Sequence, residues 1–277
     1  MKKICCVNDM PGVGKIALSA MSPILSINGI DVSYLPTALV SNTLDFGKFD
    51  ILDTSDYMNK TVDIWNELGF KFDCISTGFM INPKQIEIVE KLINNHQDKK
   101  DLLVVVDPIM GDDGNLYNGI DESNVSIMRK LSSYADILIP NYTEACFLTD
   151  LYNCKKSITK EDAKCLLSTT TLVITTDLQP SVLVLSIKYL ASSFVIGYDN
   201  KLNKYFNIEY DYIDVRFPGT GDIFSAVLIS NVLNGKDLFD STKHAMEIVK
   251  EIIINNIDKK EKFYGVDIER YISERKL

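Results

Sequence analysis

The stretch Leu102-Leu-Val-Val-Val-Asp-Pro-Ile-Met-Gly-Asp112 is apolar and rich in valine until Asp107, where Pro108 stops a ladder and Gly111 permits a turn. A short continuous apolar run bounded in this way reads as a strand buried on both faces, the pattern of parallel sheets. Working outward, comparable runs occur at Ile4–Val7, Asp31–Leu35, Cys74–Thr77, Ile137–Ile139, Leu172–Thr175 and Val182–Leu185, which with Leu102–Asp107 makes seven strands for one sheet. Between them Lys15–Ile27, Tyr57–Leu68, Pro83–Asn94, Ser123–Ser133, Thr143–Thr149 and Lys160–Leu167 read as helices, several with an apolar residue at every third or fourth position. Such alternation predicts an α/β fold with a doubly wound, mostly parallel sheet flanked by helices, and a ligand site at the carboxyl ends of the strands.

The last hundred residues change character. Ser193–Tyr198 and Lys204–Tyr212 read as short antiparallel strands joined at Asp199–Asn200, and Asp222–Leu233 and Leu238–Asn255 as helices. No linker, internal repeat or low-complexity tract interrupts the chain, and α/β folds commonly run to about 250 residues as one unit, so residues 1–277 are expected to form a single domain. The mixed-charge run Asp258-Lys-Lys-Glu-Lys262 reads as a solvated loop.

The composition, 46% hydrophobic and 24% charged over 277 residues, is that of a soluble globular protein. A formal charge of -9 and the absence of a long basic block exclude nucleic-acid partners. Cys5, Cys6, Cys74, Cys146, Cys154 and Cys165 form no CxxC pair and lie near no histidine at metal-ligand spacing, so reduced thiols are expected. The amino terminus offers only a four-residue apolar run, Ile4-Cys-Cys-Val7, and no stretch approaches a membrane span, so a cytoplasmic location is expected. His96 and His244 read as surface residues, and Trp65 as packing.

Three segments carry candidate chemistry. In Phe217-Pro-Gly-Thr-Gly-Asp-Ile-Phe-Ser-Ala226 two glycines bracket a threonine, an aspartate follows, and an apolar helix begins. The glycines let successive amides turn outward, and the helix amino end adds unpaired N–H groups and a positive dipole end, a geometry suited to a phosphoryl group. Asp222 equally suits an N-terminal carboxylate in the helix's first turn. Asp107 ends its strand pointing at the cleft as a possible ligand of a metal or its water, or else as a turn-capping residue. Ile139-Pro-Asn-Tyr-Thr-Glu144 sets Asn141 and Glu144 three residues apart, where a strand hands over to a helix, which is also the spacing of a capping box.

Taken together, the Asp-Pro-Ile-Met-Gly-Asp, Asn-Tyr-Thr-Glu and Gly-Thr-Gly-Asp segments resemble, in order, signatures of the carbohydrate and vitamin kinases of the ribokinase superfamily. The amino-terminal half, through Val7-Asn-Asp-Met-Pro-Gly-Val-Gly-Lys15, Leu35-Pro-Thr-Ala-Leu-Val-Ser-Asn-Thr-Leu-Asp-Phe-Gly-Lys48 and Ser76-Thr-Gly-Phe79, is most similar to the pyridoxal (vitamin B6) kinases, and the likeness runs from Ile4 to about Val249. The resemblance implies a ribokinase-like fold with a small β-hairpin flap over the nucleotide, here spanning roughly Tyr198–Tyr212. It implies transfer of a phosphoryl group from ATP to the 5′-hydroxymethyl of pyridoxal, pyridoxine or pyridoxamine, with Mg2+, a K+ ion among the cofactors of the family, and a homodimer. Asp222 matches the catalytic base, and Gly219, Thr220 and Gly221 match an anion-hole turn. Asp107 and Glu144 match residues near nucleotide and metal; Asn141, Thr175 and Thr176 match nucleotide contacts; Asp9, Thr43 and Phe79 match the substrate pocket.

The chain departs from the pyridoxal kinases in carrying Asp9 where a serine is usual and Asn42-Thr43-Leu44 where His-Thr-Gly is usual. A carboxylate at 9 accepts from a pyridinium N–H or a phenolic hydroxyl but cannot donate as a hydroxyl does, which leaves vitamer preference open. Pro11-Gly-Val-Gly-Lys15 resembles the end of a P-loop, but Asp9 stands where the first glycine is required and Ile16 where a magnesium-binding hydroxyl is required. Hydroxymethylpyrimidine kinase is the nearest alternative, although its glycine-rich opening is absent. Ribokinase and adenosine kinase lack a counterpart here to their early double glycine, and a catalytically idle vitamer-binding regulator would not need Asp222, the Gly-Thr-Gly turn and Glu144 in register.

Overall fold

The computed structural model describes residues 1–96, 102–117, 120–149, 162, 165–166, 181–189 and 192–274. The backbone divides into two compact units, Met1–Leu102 with Ile213–Leu277, and Leu103–Tyr212.

In the first unit β1 (Lys3–Pro11), β2 (Asp31–Val40), β3 (Ile51–Asp53) and β4 (Cys74–Thr77) lie in the order β4-β1-β2-β3. β1 runs parallel to β2 and β4, and β3 turns back antiparallel at the edge. The central strand is fully buried from Ile4 to Asp9 because both of its faces are covered by apolar helices. The helices of the unit are α1 (Ala17–Ile27), which packs on β1, α2 (Ser55–Glu67) and α3 (Pro83–Asn94), and from the carboxyl-terminal part α6 (Thr220–Leu233), α7 (Leu238–Asn255) and α8 (Ile268–Glu274). α6 is apolar around its whole circumference, with nine successive buried residues from Ile223 to Asn231, as a helix enclosed by protein requires.

The second unit orders its strands β11-β10-β9-β8-β5, where β5 is Leu103–Val106, β8 Ile137–Leu138, β9 Ser181–Tyr189, β10 Ser192–Asp199 and β11 Lys204–Tyr210. β5, β8 and β9 are parallel; β10 and β11 are antiparallel. β6 (Gly111–Asp112) and β7 (Asn115–Leu116) form a separate miniature hairpin, and α4 (Glu122–Ser132) and α5 (Tyr142–Leu148) complete the unit.

The α/β expectation, with parallel strands, flanking helices and a hairpin, is the architecture found. Several boundaries differ. β1 and β2 run well past Val7 and Leu35: Asn8 and Asp9 continue the β1 ladder where its apolar run ends, and β2 carries on through Pro36 to Val40. The first helix begins at Ala17 rather than Lys15: Gly14 has φ +111° and the Lys15 amide is bound to the Tyr264 carbonyl at 2.9 Å, so the chain cannot yet coil. The β10–β11 turn occupies residues 200–203 rather than Asp199–Asn200, closed by Asp199 accepting from the Leu202 amide at 3.1 Å and by Asn203 at φ +50°. β3, β6, β7 and α8 were too short for an apolar period to register. The strand expected at Leu172–Thr175 lies outside the described residues, as does most of the helix expected at Lys160–Leu167.

His96 is a correction: it is buried, not on the surface, because its Nε2 accepts from the Phe72 amide at 3.1 Å and its Nδ1 donates to the Leu92 carbonyl at 2.9 Å. His244 is half-buried beside Asn231, and Trp65 packs edge-on against Phe72, as expected of a packing residue. Cys5, Cys6, Cys74 and Cys146 are buried free thiols. Among the described residues no helix is long and apolar enough to cross a membrane.

Candidate active site

Asp222 stands in the first turn of α6, directly after the Gly219-Thr220-Gly221 turn. Gly219, at φ +85°, leaves no room for a side chain: a Cβ would overlap the Lys15 carbonyl oxygen. Gly221 differs, because a Cβ there would meet nothing within 4 Å, so its lack of a side chain answers no packing demand inside the protein. Thr220 donates its hydroxyl to the Phe217 carbonyl at 3.3 Å, which closes the turn.

Both oxygens of Asp222 accept from donors on distant parts of the chain. The Ala17 amide reaches Oδ2 at 2.8 Å, and the Asn8 side-chain amide reaches Oδ1 at 3.4 Å. Ala17 is an alanine with a positive φ, +45°, at the first position of α1. That backbone is strained by roughly 1 kcal/mol for a residue with a Cβ, and it puts a helix-start N–H on a carboxylate. Asp222 is thus placed at the amino ends of two helices, its own and α1, which favours the charged form. Dense protein surroundings act the other way and prevail: burial pushes its pKa up to about 6, although part of the residue stays accessible. A carboxylate with such a pKa can hold or release a proton near neutrality.

Asp9 lies close by on β1, at the point where the β1–β2 pairing slips by one residue between Asn8 and Met10. Irregularities of this sort re-aim a side chain next to a site. Asp9 is 6% exposed, and burial, then repulsion from Asp222, raise its pKa to about 7. Phe79 follows β4 and is buried, with its backbone held at both ends: its amide donates to Asn8 Oδ1 at 2.9 Å, and its carbonyl accepts from the Thr37 hydroxyl at 2.8 Å. Thr43 is fully buried; its hydroxyl donates to the Phe263 carbonyl at 2.8 Å, and its amide to the Val13 carbonyl at 3.2 Å. Thr43 therefore joins residues 12–15 to the carboxyl-terminal segment around Phe263.

In the second unit Glu144 and Asn141 form the capping box of α5: Glu144 Oε2 accepts from the Asn141 amide at 2.8 Å, and Asn141 Oδ1 from the Glu144 amide at 2.9 Å. Glu144 Oε1 also accepts from the Met110 amide at 3.2 Å. The Asn141 side chain donates to the Gly111 carbonyl at 2.7 Å, and the Thr143 hydroxyl accepts from the Gly114 amide at 2.9 Å. Three side-chain bonds, to Met110, Gly111 and Gly114, thus pin the Asp-Pro-Ile-Met-Gly-Asp loop and the turn after it to the start of α5. Glu144 is 3% exposed, and its pKa is pushed well up, first by burial and then by Asp107, with Asp112 adding to it.

Asp107, Asn141 and Glu144 are therefore neighbours, as are Asp222 and Asp9, while Thr175 and Thr176 lie outside the described residues. Among the described residues no set of three or more His, Cys, Asp or Glu side chains is arranged to enclose a metal directly. The chemistry of the donors nevertheless fits a hydrated divalent cation, since buried like charges that repel one another are what Mg2+ with its own waters and phosphate ligands relieves. Asn8 and Ala17 were missed in the sequence. Asn8 was signalled only by its place beside Asp9 at a strand end, and Ala17 by nothing, because its contribution is a backbone conformation.

Residues 35–267 match the phosphomethylpyrimidine kinase family. A solved protein of Bacteroides thetaiotaomicron described as a phosphomethylpyrimidine kinase, in a crystal form with pyridoxal, is 32% identical; the match covers 100% of this chain and 96% of that one, with a TM-score of 0.91. The pyridoxal kinase PdxY of Actinobacillus pleuropneumoniae is 25% identical over 92% of this chain and 91% of its own length. The pyridoxal kinase of Leishmania donovani, solved with ADP and pyridoxamine, shares the fold at 20% identity and a TM-score of 0.86, covering 100% of this chain and 96% of that one. The chain belongs to the phosphomethylpyrimidine kinase family and, with the pyridoxal kinases it resembles, to the ribokinase-like superfamily.

Proposed function

We propose that the protein transfers the γ-phosphoryl group of ATP to the 5′-hydroxymethyl of a B6 vitamer, giving pyridoxal 5′-phosphate or its congeners. The observation that carries this is Asp222: an accessible carboxylate with raised pKa, each oxygen oriented by a donor, one residue after an open glycine at a helix amino end. In this reading Asp222 takes the hydroxyl proton as the bond to phosphorus forms. The amides of Gly219, Thr220 and Gly221 face the charge on the transferring group, and fixed donors of this kind are each worth roughly 3 kcal/mol in a water-poor site. Asp9 accepts from a proton donor on the ring, and Phe79 supplies an apolar wall. Asp107, Asn141 and Glu144 serve the nucleotide side, where Mg2+ held through water by Asp107 and Glu144 would neutralise phosphate charge. Phosphoryl transfer needs mainly positioning and charge neutralisation, so these parts suffice.

The family's description points to a pyrimidine acceptor, whereas the Bacteroides relative was solved with pyridoxal and PdxY is a pyridoxal kinase. The absent glycine-rich opening favours the pyridine ring. A single kinase domain, a homodimeric assembly and a cytoplasmic location complete the proposal.

ADP release with MgATP, measured in parallel on pyridoxal, pyridoxine, pyridoxamine and hydroxymethylpyrimidine, tests it. Turnover on the vitamers, with a phosphorylated product confirmed by mass, is the expected result. Turnover on the pyrimidine alone would move the protein to the sister activity, and none on any acceptor would leave a binding protein.

A further inference from the structure

We propose that Asn8 is a positioning residue that sets the base and the acceptor wall with one side chain, its amide N–H orienting Asp222 while its amide oxygen fixes the backbone at Asp9 and Phe79. This rests on the reading of Asp222 as the base.

The orientation of the Asn8 amide is settled by its partners. Oδ1 accepts from two backbone N–H groups, Asp9 at 3.0 Å and Phe79 at 2.9 Å, and only the oxygen end of an amide can do that. The other end, Nδ2, must then face the Asp222 carboxylate, with the Met21 sulfur 3.9 Å away as its other neighbour. Asn8 is 3% exposed, so water does not supply these bonds. Gly78 completes the arrangement: a Cβ at 78 would collide with the Asn8 amide, so the loop after β4 carries glycine where this side chain must pass.

At 3.4 Å the bond to Asp222 is long, which is common where a catalytic contact tightens only with substrate bound. Together with the Ala17 amide on Oδ2 it fixes the carboxylate plane, and leaves further lone pairs on both oxygens for an incoming hydroxyl proton. The same side chain holds Asp9 and Phe79, so a displacement of Asn8 would move the base and the acceptor wall together.

The charged neighbours are few. Asp222 is the one charged residue of α6, and α1 carries none. Asp9, on β1 beside Asn8, is the titratable group whose own pKa Asp222 raises.

Asn8→Asp separates the two roles. A carboxylate at 8 still accepts from the Asp9 and Phe79 amides, but in place of the donor it presents Asp222 with a like charge. With pyridoxal and MgATP, the expected result is a KM within about threefold of wild type and a kcat lowered roughly 10- to 100-fold. The acid limb of the kcat profile should move up by about one pH unit or more, and the thermal midpoint should stay within a few degrees. An unshifted acid limb with wild-type kcat would overturn the proposal. Should Asn8→Asp fail to fold, Asn8→Ala combined with Asp222→Ala decides: the kcat loss caused by Asn8→Ala should be at least tenfold smaller in the Asp222→Ala background than in wild type, and losses that multiply in full would overturn it. Near-normal turnover by Asp222→Ala alone would remove the base itself and this proposal with it. Multiplying losses would remove the proposal and leave the base in place.

Discussion

Asp222 and Glu144 are both buried or densely surrounded carboxylates with raised pKa, and each is held by two N–H donors; they differ in where those donors come from. The partners of Asp222, Ala17 and Asn8, lie 205 and 214 residues away in sequence. Those of Glu144 lie three residues away in its own helix start and 34 away in a loop. Glu144 would be a sound helix cap without any ligand, because its bonds complete a local motif. Asp222 completes no such capping box, since the N-cap of α6 is Gly219, and its distant holders include an alanine in a strained backbone conformation. Strain and mutually repelling carboxylates at one place are what a site built for chemistry tolerates and a site built for stability avoids.

The contrast can be broken by substitution, and the largest effect on folding should come from the turn before Asp222. Gly219→Ala meets both a positive φ and the Lys15 carbonyl, and should cost roughly 3 kcal/mol, lowering the thermal midpoint by about 6–10 °C. Gly221→Ala, with open space around it, should fold normally yet lose activity. Equal midpoints for the two variants would contradict the packing, and full activity in Gly221→Ala would remove the anion turn.

Asp9→Asn should come next, and it should stabilise. The folded-state pKa of Asp9, about 7, lies above the 3.8 of an ordinary aspartate, so the folded protein binds the extra proton and loses stability as pH rises from about 4 to 7. Asparagine removes that penalty, so the variant should be more stable at pH 8 by roughly 2 kcal/mol, with the gain gone near pH 4. Denaturant titrations at the two pH values measure it, and a gain that does not depend on pH would refute the cause given.

Glu144→Gln sharpens the other side of the comparison. One of two accepted bonds is lost while repulsion from Asp107 and Asp112 is relieved, so stability should change by no more than about 1 kcal/mol. The Mg2+ concentration needed for half-maximal rate should rise. An unchanged magnesium dependence would leave Glu144 as a cap alone.

The same contrast explains what the sequence disclosed. The parallel strands were legible because apolar runs such as Leu103–Val106 repeat between helical periods, and the Asn141–Glu144 box because its bonds span three residues. Asp222 was legible through the Gly-Thr-Gly before it, but its holders were not. Asn8 acts across the fold through an amide that any strand end might carry, and Ala17 acts through a backbone angle. His96 was misread for a like reason: its polar neighbours in sequence say nothing of the Phe72 amide that caps its ring.

The central claim, that Asp222 takes the proton, is tested most directly by the turnover of Asp222→Ala with MgATP and pyridoxal beside wild type, with folding checked by the thermal midpoint. The account predicts a fall in kcat of about a thousandfold or more in a protein at least as stable as wild type above pH 6, because a carboxylate that is costly to ionise has been removed. Turnover within tenfold of wild type would contradict it.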